Sequence, residues 1–191
     1  GSLDRLGLDR VDIVYLHDPD EHWDAASTTG VDALVELREL GVVGAIGAGM
    51  NQAEMLARFI EQCDIDVVMV AGRHTLLDRT AQERLLPVAA ERGVAVVSAA
   101  VYNSGLLSNA VVPDDATYDY GPAPAAVIAR ARRLAEICAR YGVTLPDAAV
   151  QYPLQGDGVA SVVVGLRTAA QVESTIARYQ RASPAACWRE L

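Results

Sequence analysis

Apolar and polar positions alternate in blocks along the chain rather than residue by residue. Val11-Asp12-Ile13-Val14-Tyr15-Leu16 is an apolar run of strand length. After a polar stretch, Val31, Leu34, Val35, Leu37 and Leu40 recur at three- and four-residue spacings, which is the period of a helix with one buried face. Gly41 caps that helix, and Val42-Val43-Gly44-Ala45-Ile46-Gly47-Ala48 reads as the next strand. The unit then repeats. A helix over Gln52 to Cys63 leads to a strand over Asp66 to Ala71. A helix over Ala81 to Arg92, closed by Gly93, leads to a strand over Val94 to Ala99. From Ser108 to Pro124 the pattern breaks into a long loop with three prolines and the triplet Tyr118-Asp119-Tyr120. Helices over Ala125 to Tyr141 and Pro146 to Leu154, a fifth strand over Val159 to Val164 and a helix over Ala169 to Tyr179 complete the pattern.

Strands that are apolar throughout are buried on both faces, which predicts a parallel sheet covered by helices in an α/β domain spanning residues 1–191. Two architectures satisfy this: an open doubly wound sheet, favoured by length, and part of a (β/α)8 barrel. A dinucleotide-binding doubly wound fold needs G-x-G-x-x-G after its first strand, where this chain has His17-Asp18-Pro19-Asp20. Polar residues instead follow each strand (His17, Asn51, His74, Asn103 and Arg167), and in a barrel all five would face one mouth.

Composition narrows the chemistry. The 191 residues carry 25 Asp plus Glu against 16 basic residues, for a net charge of -9. Every basic residue is arginine. With no basic stripe, a nucleic-acid partner is excluded, and no apolar run is long enough for a membrane helix. Without lysine, neither Schiff-base chemistry nor a P-loop is available within these residues. Three scattered cysteines without C-x-x-C spacing suggest a reducing, cytoplasmic setting.

Each candidate residue has a functional and a structural reading. His17 follows a buried strand, as a rim donor or acid near neutral pH or as a cap on the strand end. With Asp18, Asp20 and His22 it also offers metal ligands, but at a spacing that fits no standard zinc pattern. Gly44 and Gly47 suit close strand packing, and Gly49 suits the close approach of a ligand. Asn51 can serve a carboxamide through both its donor and its acceptor, or can cap the following helix. His74 can stack on a planar ligand or sit in the core. The amides of Tyr102-Asn103-Ser104-Gly105 can hold an anion, or the segment can be a plain strand-ending turn. At Gly165-Leu166-Arg167-Thr168 a helix N-terminus and a guanidinium meet, an anion site if Arg167 is not merely a surface residue.

Arg5-Leu6-Gly7-Leu8-Asp9-Arg10-Val11-Asp12-Ile13-Val14-Tyr15-Leu16-His17 resembles the fourth-strand motif of the aldo-keto reductases, and the glycine-rich strand after it resembles their fifth. Thr75-Leu76-Leu77-Asp78-Arg79, Gly105-Leu106-Leu107 and Gly165-Leu166-Arg167-Thr168 are similar to later segments of that family, in order, over Leu3 to Leu191. Within the family, His17-Asp18-Pro19-Asp20, Gly49-Met50-Asn51-Gln52, Ala71-Gly72-Arg73 and Tyr102-Asn103-Ser104-Gly105 are most similar to the branch of L-fucose and D-threo-aldose 1-dehydrogenases. The resemblance implies an incomplete TIM (β/α)8 barrel covering about strands 4 to 8. It implies an extended NAD(P) cofactor and a small sugar or carbonyl substrate.

By the same resemblance His17 hydrogen-bonds the reacting oxygen, while the family's catalytic Asp, Tyr and Lys fall before Gly1. Gly49 or Asn51 would hold the nicotinamide carboxamide, His74 would stack on the ring, and Tyr102 and Asn103 would lie under the pyrophosphate. Arg167 and Gln171 would serve the adenosine end. Gly165 and Gln171 stand where many members carry Lys and Arg for a 2′-phosphate, so NAD use is the expectation. A chain lacking three of the four catalytic residues is expected to be inactive alone. The alternatives are a non-catalytic half-barrel that associates through its exposed sheet edges, a metal-dependent hydrolase built on His17, Asp18, Asp20 and His22, and a flavodoxin-like domain.

Overall fold

The computed structural model describes residues 1–191. Strands β1 (Val11–His17), β2 (Val43–Met50), β3 (Val67–Ala71), β4 (Ala95–Ala99) and β5 (Val159–Val163) form one sheet in that order, with every pairing parallel. A strictly sequential order with crossovers of one hand puts the helices on one face, whereas a doubly wound sheet reverses direction at a switch point. The sheet is therefore an arc of a (β/α)8 barrel, left open at β1 and β5.

The helices are α1 (Ser2–Leu6), α2 (Val31–Glu39), α3 (Ala53–Gln62), α4 (Leu85–Arg92), α5 (Ala125–Arg140), α6 (Leu145–Gln151), α7 (Ala169–Gln180) and α8 (Ala185–Glu190). Three departures from the pattern occur, two of them with local causes. The helix expected from Ala81 starts at Leu85 after a 3-10 turn over Thr80–Gln82, because Pro87 is accommodated best in a first turn. The helix expected to reach Leu154 tightens to 3-10 over Tyr152–Leu154, where Pro153 has no N–H for the α ladder. A π-helical stretch, Ala26–Gly30, precedes α2.

Ala48, Met50, Val68, Val70 and Val96 point outward from the sheet and pack on Leu56, Phe59 and Leu85 of α3 and α4, forming the larger core. A second core joins the loop after β4 to α5, α6 and α8 through Leu76, Leu106, Leu107, Leu134, Leu145 and the two buried cysteines, Cys138 and Cys187. The opposite, concave face follows from register and the two-residue period of a strand. His17, Gly49, Met69, Val97 and Ser161 form one row across all five strands. A Cβ at Gly47 would fall on the Val67 carbonyl oxygen, and one at Gly44 would lie 2.7 Å from the Asp12 carbonyl oxygen. Glycine at these two positions lets β2 sit between its neighbours.

Both open edges are apolar. Ile13 on β1 is 47% exposed and Val163 on β5 is 45% exposed. An apolar groove of about 640 Å³ runs between α1, β1 and α2. No helix is long and apolar enough to cross a membrane.

Candidate functional site

Because every strand runs the same way, the loops after β1 to β5 gather at one end of the arc. Two adjoining clefts lie there and share Ala100, Asn103 and Ser104. The larger, about 330 Å³, lies between the loop after β4 and the turn from β5 into α7, and Tyr102, Asn103, Gly165, Arg167 and Gln171 all line it. The smaller, about 30 Å³, is lined by Asn51, Gly72, Asp119 and Tyr120 as well. Six of the nine residues singled out from the sequence thus come together.

The backbone around these clefts is held in an unusual conformation. Ala100, Asn103 and Ser104 have φ of 53°, 45° and 57°, and Gly105 has φ of 90°. For a residue with a Cβ the left-handed region costs roughly 1–2 kcal/mol, and such residues concentrate where function over-determines the backbone. The amides of Ser104 and Gly105 find no acceptor within the chain. Asn103 is 4% exposed, its Nδ2 donates to the Gly72 carbonyl oxygen at 3.2 Å, and its Oδ1 is buried without a partner.

Across the larger cleft, Thr168 caps α7 by accepting from the Gln171 N–H at 3.2 Å, and Gln171 Oε1 accepts from the Arg167 N–H at 2.7 Å. The Ala169 and Ala170 amides at the α7 N-terminus have no acceptor in the chain. Arg167 is exposed, and its guanidinium makes no ion pair. Amides without an acceptor, a helix N-terminus and an unpaired guanidinium are the kinds of group that can hold an anion.

The remaining three residues lie elsewhere. His17 ends β1 with its side chain 89% exposed and Nε2 3.6 Å from Asp18 Oδ2. Asp18 has a φ of 44°, and its N–H donates to the Gly49 carbonyl oxygen at 2.9 Å. Gly49 is the buried register partner of His17. His74 is 5% exposed, with its ring 5.6 Å from that of Tyr152, and it lines neither cleft. Burial lowers its pKa; the Pro153 carbonyl opposes this and Arg79 adds to it. The cluster His17, Asp18, Asp20 and His22 does not assemble: no group of three or more acidic, His or Cys side chains converges to hold a metal ion, and Asp20 instead accepts from Gln52 Nε2 at 2.8 Å.

The family model described as "Aldo/keto reductase family" matches residues 1–188. The chain belongs to the aldo/keto reductase family. It is 44% identical over 191 residues to a D-threo-aldose 1-dehydrogenase from Pseudomonas sp, covering 100% of this chain and 58% of that protein. It is 36% identical over 200 residues to a pyridoxal 4-dehydrogenase from Microbacterium luteolum, again spanning 58% of the relative. The holo form of the aldo-keto reductase AKR11C1 from Bacillus halodurans superposes with a TM-score of 0.75 at 25% identity, over 99% of this chain and 62% of that one. The glycerol dehydrogenase AKR11B4 from Gluconobacter oxydans shares the fold at a TM-score of 0.75 and 18% identity, over 99% of this chain and 59% of that one. The chain thus spans about three fifths of the aldo/keto reductases it matches.

One part of the site escaped the sequence reading. A short hairpin, Thr117–Tyr118 against Gly121–Pro122, folds back over the smaller cleft. It is fastened by Arg73 Nη2, which donates to both Asp119 carboxylate oxygens at 3.0 and 2.9 Å, and by Thr117 Oγ1, which donates to the Ser104 carbonyl oxygen at 2.9 Å. The Tyr118-Asp119-Tyr120 triplet was the available signal, but nothing in its spacing names Arg73 as its partner.

Proposed function

We propose that this chain is the cofactor-holding part of an NAD(P)-dependent aldose dehydrogenase, which oxidises the anomeric hydroxyl of a free sugar to a lactone or runs the reverse carbonyl reduction. The observation that carries this reading is the convergence of Tyr102, Asn103, Gly165, Arg167 and Gln171 on one cleft that the unpaired amides of Ser104 and Gly105 also line. The residues fit a dinucleotide. The α7 N-terminus, the Ser104 and Gly105 amides and Arg167 suit phosphate oxygens, and the unpartnered Asn103 Oδ1 suits a buried donor. When bound, the nicotinamide supplies the hydride acceptor.

The chain's own residues orient and hold. Arg167 and the α7 amides fix one end of the ligand, and Asn51 presents a donor and an acceptor in the smaller cleft. His17 would hold the substrate oxygen through its imidazole, and the general base would have to come from outside these residues. The 44% identity to a D-threo-aldose 1-dehydrogenase supports the sugar substrate, and the lack of a second cation beside Arg167 supports NAD over NADP.

Titration of the chain with NAD and NADP, followed by calorimetry, tests this. Binding that weakens at least about fivefold in Arg167→Ala, with no more than tenfold preference for the 2′-phosphate, is the expected result. Unchanged binding in that variant, or no binding to either nucleotide by the chain joined to its preceding units, would overturn the reading.

A second reading is favoured by the apolar edges. A half-barrel with the groove along α1, β1 and α2 uncovered would self-associate there. Sedimentation at several concentrations separates the two: a concentration-independent monomer removes the association reading.

A further inference from the structure

Cys138, in the last turn of α5, and Cys187, in α8, are far apart in sequence and meet in the second core. Both are 0% exposed, the two helices that carry them pack on each other, and each thiol shifts the other's proton equilibrium. Neither lines the clefts. Cys63 lies against the other core, its thiol directed at the Ser27 carbonyl oxygen. The helix bearing Cys187 has only six residues and is pinned mostly at its outer end. Glu190 pairs with Arg140 and accepts from Tyr141 Oη at 2.9 Å, and the Leu191 carbonyl oxygen accepts from Arg79 at 2.5 Å.

We propose that Cys138 and Cys187 are a redox modification site, a dithiol pair that exchanges with a low-molecular-weight disulfide and closes into a Cys138–Cys187 bond joining α8 to α5. The Cys187 thiolate attacks one sulfur of the small disulfide, the small S–S bond breaks, and one small thiol leaves. The Cys138 thiolate then attacks the Cys187 sulfur and expels the second small thiol. The two protein thiols lose two electrons and two protons, and the small disulfide is reduced to two thiols.

Burial controls the rate. It pushes Cys138 up to about 12, with Cys187 adding to the shift, and it raises Cys187 as well. Burial thus disfavours the thiolate, the nucleophilic form, in the closed pair. Reaction requires α8 to lift, and a six-residue helix that anchors in the core through Cys187, Trp188 and Leu191 alone opens more readily than the whole fold. When α8 returns, Cys187 re-enters the buried cluster that holds Cys138. The loop this bond closes contains β5, the Gly165–Thr168 turn and α7, which together form the anion-holding wall of the larger cleft. Closing it restricts the unfolded chain and raises the thermal midpoint by roughly 5 °C or more.

The test treats the purified, reduced 191-residue chain with oxidised glutathione under native conditions and reads intact mass and mapped peptides. The expected result is a loss of two hydrogens, a peptide linking Cys138 to Cys187, an unlinked Cys63 and full reversal by dithiothreitol. Cys138→Ser should instead trap a stable glutathione adduct on Cys187. A chain that keeps both thiols reduced, or forms the bond only after denaturation, or links either cysteine to Cys63, overturns the proposal. The wild-type mapping stands even if the variant fails to fold.

Discussion

Asn103 Nδ2 donates to the Gly72 carbonyl oxygen at 3.2 Å, which joins the loop after β4 to the turn after β3 beneath both clefts. Gly72 has a φ of 71°, its own N–H donates to the Ala99 carbonyl oxygen at 3.0 Å, and Asn103 has a φ of 45°. A side-chain bond and a backbone conformation therefore depend on the same residue, and two substitutions separate them. Asn103→Ala removes the bond and keeps a Cβ in the left-handed region, at about 1 kcal/mol. Asn103→Gly removes the bond but also relieves the left-handed strain, so it should lose roughly 1 kcal/mol less. Urea denaturation of both variants checks this. Equal losses would mean that the backbone at Asn103 relaxes freely.

On β2, two glycines of the concave face are expected to behave oppositely. A Cβ at Gly47 would fall on a carbonyl oxygen of the neighbouring strand, which can yield only if the sheet parts. Gly47→Ala should cost more than about 4 kcal/mol or prevent folding. A Cβ at Gly49 meets the Met69 Cβ at 3.4 Å, an ordinary contact. Gly49→Ala should be neutral or up to about 1 kcal/mol stabilising, through the reduced freedom of the unfolded chain. If the nicotinamide end approaches Gly49, the same variant weakens dinucleotide binding while its denaturation midpoint holds. Thermal denaturation and nucleotide titration of the pair read both effects.

The strand and helix periods were legible because the barrel's repeated unit writes them into the sequence: β1 to β5 fall within two residues of the apolar runs at Val11, Val42, Asp66, Val94 and Val159. The cleft residues Tyr102, Asn103 and Arg167 could be named because they lie in the loops that follow strands, and a parallel sheet gathers such positions at one end, whereas Gln171, inside α7, was named only through the family resemblance. His74 met the same rule but lies against Tyr152, because the chain turns inward after Gly72 and packs Leu76 and Leu77 into the second core. Periodicity has no register for such a turn. Contacts between distant segments were equally out of reach. Arg73 with Asp119, and Cys138 with Cys187, depend on how the loop after β4 and α8 fold back, which neither spacing nor composition encodes.

Acid sensitivity should trace in part to His74. Burial holds its folded pKa below the ordinary 6.5, so the folded state resists protonation that the unfolded chain accepts. Stability from this residue is present above that ordinary value and is lost as the pH falls below it, because the unfolded state then binds more protons. Wild type and His74→Gln, compared by urea denaturation from about pH 7.5 to pH 5.5, should differ by a constant amount above pH 7, and the difference should shrink below about 6.5. A difference that widens in acid would show that the folded protein stabilises the charged imidazole.

His17 carries the sharpest functional prediction, because its exposure and its register row separate holding substrate from holding cofactor. It ends β1 outside both clefts, beside Gly49 and with Asp18 at 3.6 Å, so its imidazole is free to meet a small molecule on the concave face. In the protein that includes the units preceding these residues, His17→Gln should lower kcat by roughly 100-fold or more, the usual scale for a positioned acid–base or hydrogen-bonding group. The Kd for the dinucleotide should change less than about threefold, because no cleft residue is touched. Arg167→Ala should show the reverse split, with weaker dinucleotide binding and little loss of turnover once cofactor saturates. Equal losses of kcat and cofactor affinity in His17→Gln would remove His17 from the reacting oxygen and make it a structural end to β1.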